Sequence, residues 1–539
     1  MGLSRVLLRQ AASSATHNGS RTLLLQQSHA PIARAAAAAA AARGVDESAG
    51  DERRRRRQQQ QSLHQQQQRR AFHATKRAEN PILIGVAIVV GATLARYLIR
   101  AARRVSKEEE KKGGSGGGGK PDDDDDEGDG HSGGGGAHPT RGFPVLGLDV
   151  GTLQSCVAFV AAKGGAPLVV ENHEGRRSTP AFVAFEEGAM VVGQLARRGR
   201  WRDPGRVGFN LPRLLGAAQY DDSLRPLFPF PVEPPAPGKE EGGLVLGLSG
   251  GGGRAVPSGE AAARVVEDLV QTAEHKAHQL PRCAVLAVPS YYDAGAKARA
   301  LRAAREGTGL EEVEVVEDAI ATLACAHYTG RVSKEEAFLS KPWLVCDVGG
   351  LGAQVSVVQL DMEHGLVVKG RGASWAVGGE QLDAALVRAL VEDFKRKHTG
   401  IDLGTDYLAL ERLYEAAEAA KVELSSKVSS NVRLPFITAD HTGPKHLDAT
   451  FSRAQLENLA APLLEHLKAP FQEALDGAQL TPEGLQGVIV SGGTARLPFV
   501  AAFVKRLAGP AELPVVVLEA PEEAAAVGAA YFGRELIDD

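Results

Sequence analysis

The chain has 539 residues, 43% hydrophobic and only 5% aromatic, enough for two or three ordinary domains with a sizeable core built mostly of Ala, Val and Leu. Its net charge of −4 hides an asymmetry: residues 1–112 carry 21 Lys+Arg against 8 Asp+Glu, and the remainder carries 41 against 58. A basic head on an acidic body argues against nucleic-acid binding and for targeting to an anionic membrane surface, and the four cysteines, without CxxC spacing, exclude a disulfide framework or zinc site and fit a reducing compartment.

Residues 1–78 hold an alanine run (Ala35 to Ala42), an arginine run (Arg53 to Arg57) and glutamine tracts. Such an Arg-rich, acid-poor stretch cannot build a core and has the composition of a disordered organellar transit region, which predicts a mitochondrial protein. Arg70-Ala71-Phe72-His73 resembles a mitochondrial processing site. Residues 81–99 follow, uncharged from Pro81 to Ala95, interrupted near one end by Arg96 and flanked by Arg100, Arg103 and Arg104. As a helix the segment would be ~28 Å long, one hydrocarbon core thick, which predicts a single membrane span, placed in the inner membrane. Basic residues flank both ends, so the positive-inside rule leaves orientation open. Residues 100–143 read as a charged, Gly-rich linker around the Asp122–Asp126 block. Its P-loop-like Gly119-Lys120 is followed by Pro121 rather than Ser or Thr, so it is a spacer.

From Pro144 to Asp539, Val/Leu/Ile runs alternate with helical patterns, which predicts an α/β fold. One device occurs twice: an apolar run ending in Asp-x-Gly, at Val145–Thr152 with Asp149, Gly151 and Thr152, and at Trp343–Gly350 with Asp347, Gly349 and Gly350. A third glycine turn closes the run Val488–Thr494 at Gly492 and Gly493. Glycine after a buried strand lets backbone N–H groups approach phosphate oxygens, and the adjacent carboxylates Asp149 and Asp347 can hold Mg²⁺ directly or through water. Two facing copies make a clamp between two lobes. Leu410, Leu413, Ala417, Ala420 and Leu424 form the apolar stripe of one helix, with Glu418, Lys421 and Ser425 in a ~60° arc beside it. That polar trio is either a solvated face or a grip on ribose and purine.

Taken together these residues resemble the nucleotide-binding domain of the seventy-kilodalton heat-shock chaperones, bacterial and mitochondrial branch. The likeness runs from Val145 to about Gly533 and is carried by Gly147–Cys156, Glu171–Pro180, Lys421–Ser426, Ile437–His446 and Val527–Ala530. It implies a two-lobed actin-like ATPase fold of duplicated ribonuclease-H-like lobes, binding ATP or ADP with Mg²⁺. Gly151, Thr152, Gly349 and Gly350 would contact phosphate. Asp149 and Asp347 would be the metal-side carboxylates, with Asp318 third in the catalytic set. Glu418, Lys421 and Ser425 would grip the adenosine, Gly492, Gly493 and Arg496 would line the purine pocket, and Pro289 matches the family's switch proline.

The sequence also departs from the family. Its catalytic lysine falls on Pro212, its catalytic glutamate on Asp318, and its Gly-Thr-Phe-Asp becomes Leu351-Gly352-Ala353-Gln354; the second threonine of the first turn is Leu153. Arg213 is a neighbour of different chemistry from the missing lysine. The chain stops at Asp539, without the apolar linker and peptide-binding β-sandwich of family members, so no peptide site is expected in it. Two functions follow. One is a membrane-anchored nucleotide-binding protein with hydrolysis weakened or lost, recruiting a nucleotide-exchange factor or J-domain protein. The other is an active ATPase in a folding or import cycle.

Overall fold

The computed structural model describes residues 143–538 apart from 162–164, 187, 218–227, 250–254, 278, 333–339, 362–364, 399 and 510–511. The transit-like region 1–78, the span read at 81–99 and all but the last residue of the 100–143 linker lie outside the described residues. Among the described residues no helix is long and apolar enough to cross a membrane.

Two sheets of matching topology organise the domain. In the first, strands run in the order Glu312–Glu317, Cys283–Val288, Val145–Val150, Gln154–Val160 and Leu168–Val169, with Thr179–Pro180 also pairing with Gln154–Val160. In the second, the order is Val515–Val517, Gly487–Ser491, Trp343–Val348, Ala353–Asp361 and Gly365–Ser374. In both, the central strand is parallel to the neighbour on one side and antiparallel to its own hairpin partner on the other. Strands such as CAVLAV (Cys283–Val288) and GVIVS (Gly487–Ser491) are buried along their whole length, as continuous apolar runs in covered sheets are. The mixed α/β architecture with two duplicated sheets is consistent with the actin-like ATPase fold.

Helices close on these sheets where glycine permits. A Cβ on Gly147 would stand 2.0 Å from the Ala526 carbonyl, so helix Ala524–Asp538 lies directly on the central strand of the first sheet. A Cβ on Gly370 would stand 1.8 Å from the Ala474 carbonyl, so helix Lys468–Ala478 lies directly on the edge strand Gly365–Ser374 of the second. Gly528 likewise lets helix Ala524–Asp538 cross helix Asp318–Tyr328. These contacts leave no room for any side chain at those positions.

The outer part of the second lobe joins helices Gly379–Lys397 and Tyr407–Ser426 to the hairpin of Ser429–Asp440 and Gly443–Ser452. Asp406 caps helix Tyr407–Ser426, its carboxylate accepting from Leu408 N (2.9 Å) and Ala409 N (3.2 Å). The predicted stripe Leu410, Leu413, Ala417, Ala420 and Leu424 is buried. All four cysteines are buried and none forms a disulfide.

Candidate functional site

The repeated Asp-x-Gly segments are the corners of two hairpins. In the first, Gly151 N donates to the Gln154 carbonyl (3.1 Å); in the second, Gly349 N donates to the Gly352 carbonyl (2.9 Å). Leu351 N donates to Thr152 Oγ1 (3.2 Å), so the two turns face and touch each other. The aspartates before them, with Asp318 at the start of helix Asp318–Tyr328, are within electrostatic reach of one another. Burial, then the charges of Asp347 and Asp318, raises the Asp149 carboxyl to about 8. Burial also raises Asp347, while a hydrogen bond from Ser491 Oγ (2.8 Å) pulls it back. Burial takes Asp318 to about 7, opposed by a hydrogen bond from Ser290 and reinforced by Asp347.

Two further segments join the turns. Gly378-Gly379 opens helix Gly379–Lys397, and its first amides serve the second turn: Gly379 N donates to Gly349 O (3.0 Å) and Glu380 N to Gly350 O (2.9 Å). Thr494, beside Gly492 and Gly493, donates through Oγ1 to Gly349 O (2.9 Å). Gly492 has φ +83, and a Cβ there would meet the Val348 carbonyl at 2.4 Å. Gly349, Gly350, Gly378, Gly379 and Gly492 thus converge at one helix N-terminus, whose positive dipole favours an anion, although its Gly379 and Glu380 amides already serve the second turn.

On the adenosine side, Lys421 Nζ reaches Asp383 Oδ2 (2.7 Å) and the Gly379 carbonyl (3.1 Å), tying helix Tyr407–Ser426 to the glycine cluster. Burial lifts Asp383 to about 7 against the pull of Lys421. Glu418 pairs with Arg197 of the first lobe. Burial alone would raise its carboxyl, but the charge and hydrogen bond of Arg197 hold it below the ordinary range. A deeper pair, Arg200 with Glu380 (2.7 and 3.1 Å), also joins the lobes; both side chains are buried, so removing one partner would cost about 3–5 kcal/mol. Ser425 is placed differently: its hydroxyl donates to the Val422 carbonyl of its own helix (2.7 Å). Arg496 makes a two-pronged pair with Glu522 (2.8 and 2.5 Å) at the rim of an open groove of about 1040 Å³.

The glycine turns, the helix N-terminus and the Lys421–Asp383 pair have the chemistry to take a nucleotide's phosphates and ribose. Besides the glycine cluster, Gln354 Oε1 and Asp383 Oδ1 are buried without a hydrogen-bond partner among the described residues, acceptors available to a bound hydroxyl, amine or water. Gln354 stands in register with Asp347, on the same sheet face. Among the described residues no group of three or more His, Cys, Asp or Glu side chains is placed to hold a metal. Mg²⁺ does not need one, since it is commonly held by one or two carboxylates together with waters and phosphate oxygens.

The hydrolytic end is different. Pro212 is buried in the short helix Leu211–Gly216, and its carbonyl accepts from Tyr292 Oη (2.7 Å). Asp318 Oδ1 accepts from Ser290 N (3.1 Å), Ser290 Oγ (2.5 Å) and Ala319 N (2.7 Å). The Arg213 guanidinium lies over the Trp375 ring, 4.3 Å from its centre. Sequence reasoning missed Gly378-Gly379, Asp383, Trp375, Ser290, Ser491 and Thr494. Only the Gly-Gly before a helical pattern carried a local signal; the others are brought in by tertiary packing.

A family model described as Hsp70 protein matches residues 145–537. The domain is therefore of the chaperone-type ATP-binding class, and the chain belongs to the Hsp70 family.

Proposed function

We propose that the protein is a membrane-tethered adenine-nucleotide-binding member of the Hsp70 family in which hydrolysis is weakened or lost. The observation that carries the reading is the contrast within one cleft. The glycine cluster, Lys421 and Glu418 supply donors and charges for a nucleotide, while Pro212 supplies neither donor nor charge where the family has its catalytic lysine. Mg²⁺, when bound between phosphate and Asp149 or Asp347, would neutralise phosphate charge. Phosphoryl transfer depends on positioned charge, and loss of one well-placed donor lowers rates about 10²–10³-fold. Asp318 is a methylene shorter than glutamate and is held by Ser290 at the start of its own helix.

Membrane attachment through 81–99 and a mitochondrial inner-membrane location are supported by the uncharged run and its Arg-rich, transit-like leader. The bacterial and mitochondrial branch of the family is supported by the motif runs of the domain, and a nucleotide-exchange factor or J-domain protein is the partner this reading implies. Single-turnover hydrolysis of radiolabelled ATP by the full chain tests the proposal. Turnover well below that of an ordinary family member, rising in the Pro212→Lys/Asp318→Glu variant, is expected. Ordinary turnover in the unaltered protein would overturn it.

A further inference from the structure

The unusual feature of the cleft is what occupies the space next to the phosphate turns. Three Leu153 side-chain carbons lie 2.8–3.1 Å from where a Cβ on Gly350 would stand. The first turn thus inserts an isobutyl group against the glycine whose bare Cα would otherwise admit a phosphate oxygen. Two residues further on, the Trp375 ring and the Ser374 carbonyl lie 2.8–3.1 Å from where a Cβ on Gly352 would stand, so the indole is seated on the corner of the second turn.

Trp375 is anchored by the neighbour of Pro212 and by the neighbour of the serine that contacts Asp318. Arg213, next to Pro212, stacks on its ring, and Tyr291, next to the Ser290 that holds Asp318, meets it edge-on at 5.6 Å. Leu153 and Trp375 therefore fill the hydrolytic end. Gly378-Gly379 packs on the other side of Gly350 and Gly352 and leads from them to the Lys421–Asp383 pair, which holds the far end, where the base would bind. The Leu153 carbons offer a terminal phosphate no donor in place of water, the indole takes up its space, and desolvating its charge without a partner is costly.

We infer that the cleft selects nucleoside diphosphates over triphosphates, with Leu153 and Trp375 as the specificity-determining residues. The inference rests on the nucleotide-binding reading above and deepens it. Its chemical logic is exclusion: a ligand that ends at the second phosphate stops short of the indole, and one with a third phosphate must displace an indole held by stacking on an arginine. A triphosphate would then be bound weakly whether or not it could be cleaved.

The test is calorimetric titration of the full chain with Mg-ADP and Mg-ATP, for the unaltered protein and for Leu153→Thr, Trp375→Thr and the double variant, with melting curves to verify folding. ADP is expected to bind at least about tenfold more tightly than ATP. Each single variant should narrow that ratio, and the double variant should bring the two affinities within about threefold. Leu153→Thr is a small change at a partly exposed site and keeps the test usable if loss of the indole impairs folding. Equal affinities in the unaltered protein, or an unchanged ratio in a folded Leu153→Thr variant, would overturn the diphosphate preference alone. Binding of neither nucleotide would overturn the nucleotide-binding reading and this inference with it.

Discussion

In the first Asp-x-Gly turn a Cβ on Gly151 would stand 2.3 Å from the Gln154 carbonyl oxygen, whereas in the second a Cβ on Gly349 would stand 3.4 Å from the Gly352 carbonyl oxygen. The aspartates differ in the same pairwise way. Asp347 is flanked in register by Ser491, whose hydroxyl donates to it, while Asp149 is flanked by Ala287, which has no side-chain donor. Two copies of one strand-turn device have thus diverged in opposite respects. The first leaves no room for a side chain at its glycine and leaves its carboxyl to burial and repulsion, which take it to about 8. The second leaves room at its glycine and steadies its carboxyl with a hydroxyl. Duplication fixes where the chain turns; neighbouring strands decide what the turn can do.

The sharpest way to break that comparison is to add one methyl to each turn. Gly151→Ala forces a backbone shift and should lower stability by about 3 kcal/mol, while Gly349→Ala should cost under about 1 kcal/mol. Equal melting-temperature losses in the two variants would show that the turns are not differently constrained. A smaller effect is expected from exchanging the flanking residues. Ser491→Ala should cost about 1 kcal/mol and let the Asp347 carboxyl rise further, and Ala287→Ser, offering Asp149 the same donor, should lower its pKa. Carboxyl-carbon NMR titrations of the two aspartates check both directions; an Ala287→Ser variant that leaves Asp149 unmoved would contradict the account.

A third expected effect concerns pH. Burial raises Asp318 from 3.8 to about 7, so the folded chain retains a proton that the unfolded chain releases in that interval. The stabilisation from this group is complete below the unfolded value and disappears as pH rises through about 7. In chelator, the melting temperature of the unaltered protein should therefore fall relative to Asp318→Asn between about pH 5 and pH 8, by roughly 1–3 °C. Parallel curves would remove the protonated Asp318 from the account.

Much of this comparison was readable before any coordinates. The two apolar runs ending in Asp-x-Gly, the third glycine turn and the 3–4 spacing of Leu410 to Leu424 are local patterns, and the structure has strands, turns and a buried helix face there. Local pattern also named Lys421 and Glu418, though not their partners Asp383 and Arg197, which lie 38 and 221 residues away in sequence. Ser425 shows the limit of the helical-arc argument: sharing a face with Lys421 did not bring its hydroxyl into the cluster, because a carbonyl one turn back was nearer. Trp375 shows the converse. A lone tryptophan between a strand and a Gly-Gly pair reads as core, and only the packing of Arg213, Tyr291 and Gly352 around it gives it a place in the cleft.

The whole account depends on a cleft that still grips the base and inner phosphates of a nucleotide. Its most direct test is a titration of the purified full chain with ADP in the presence of Mg²⁺, followed by heat or by tryptophan fluorescence. Saturable one-to-one binding, abolished in the Lys421→Met variant, is the predicted result. No saturable binding at millimolar ADP by a folded protein would contradict it.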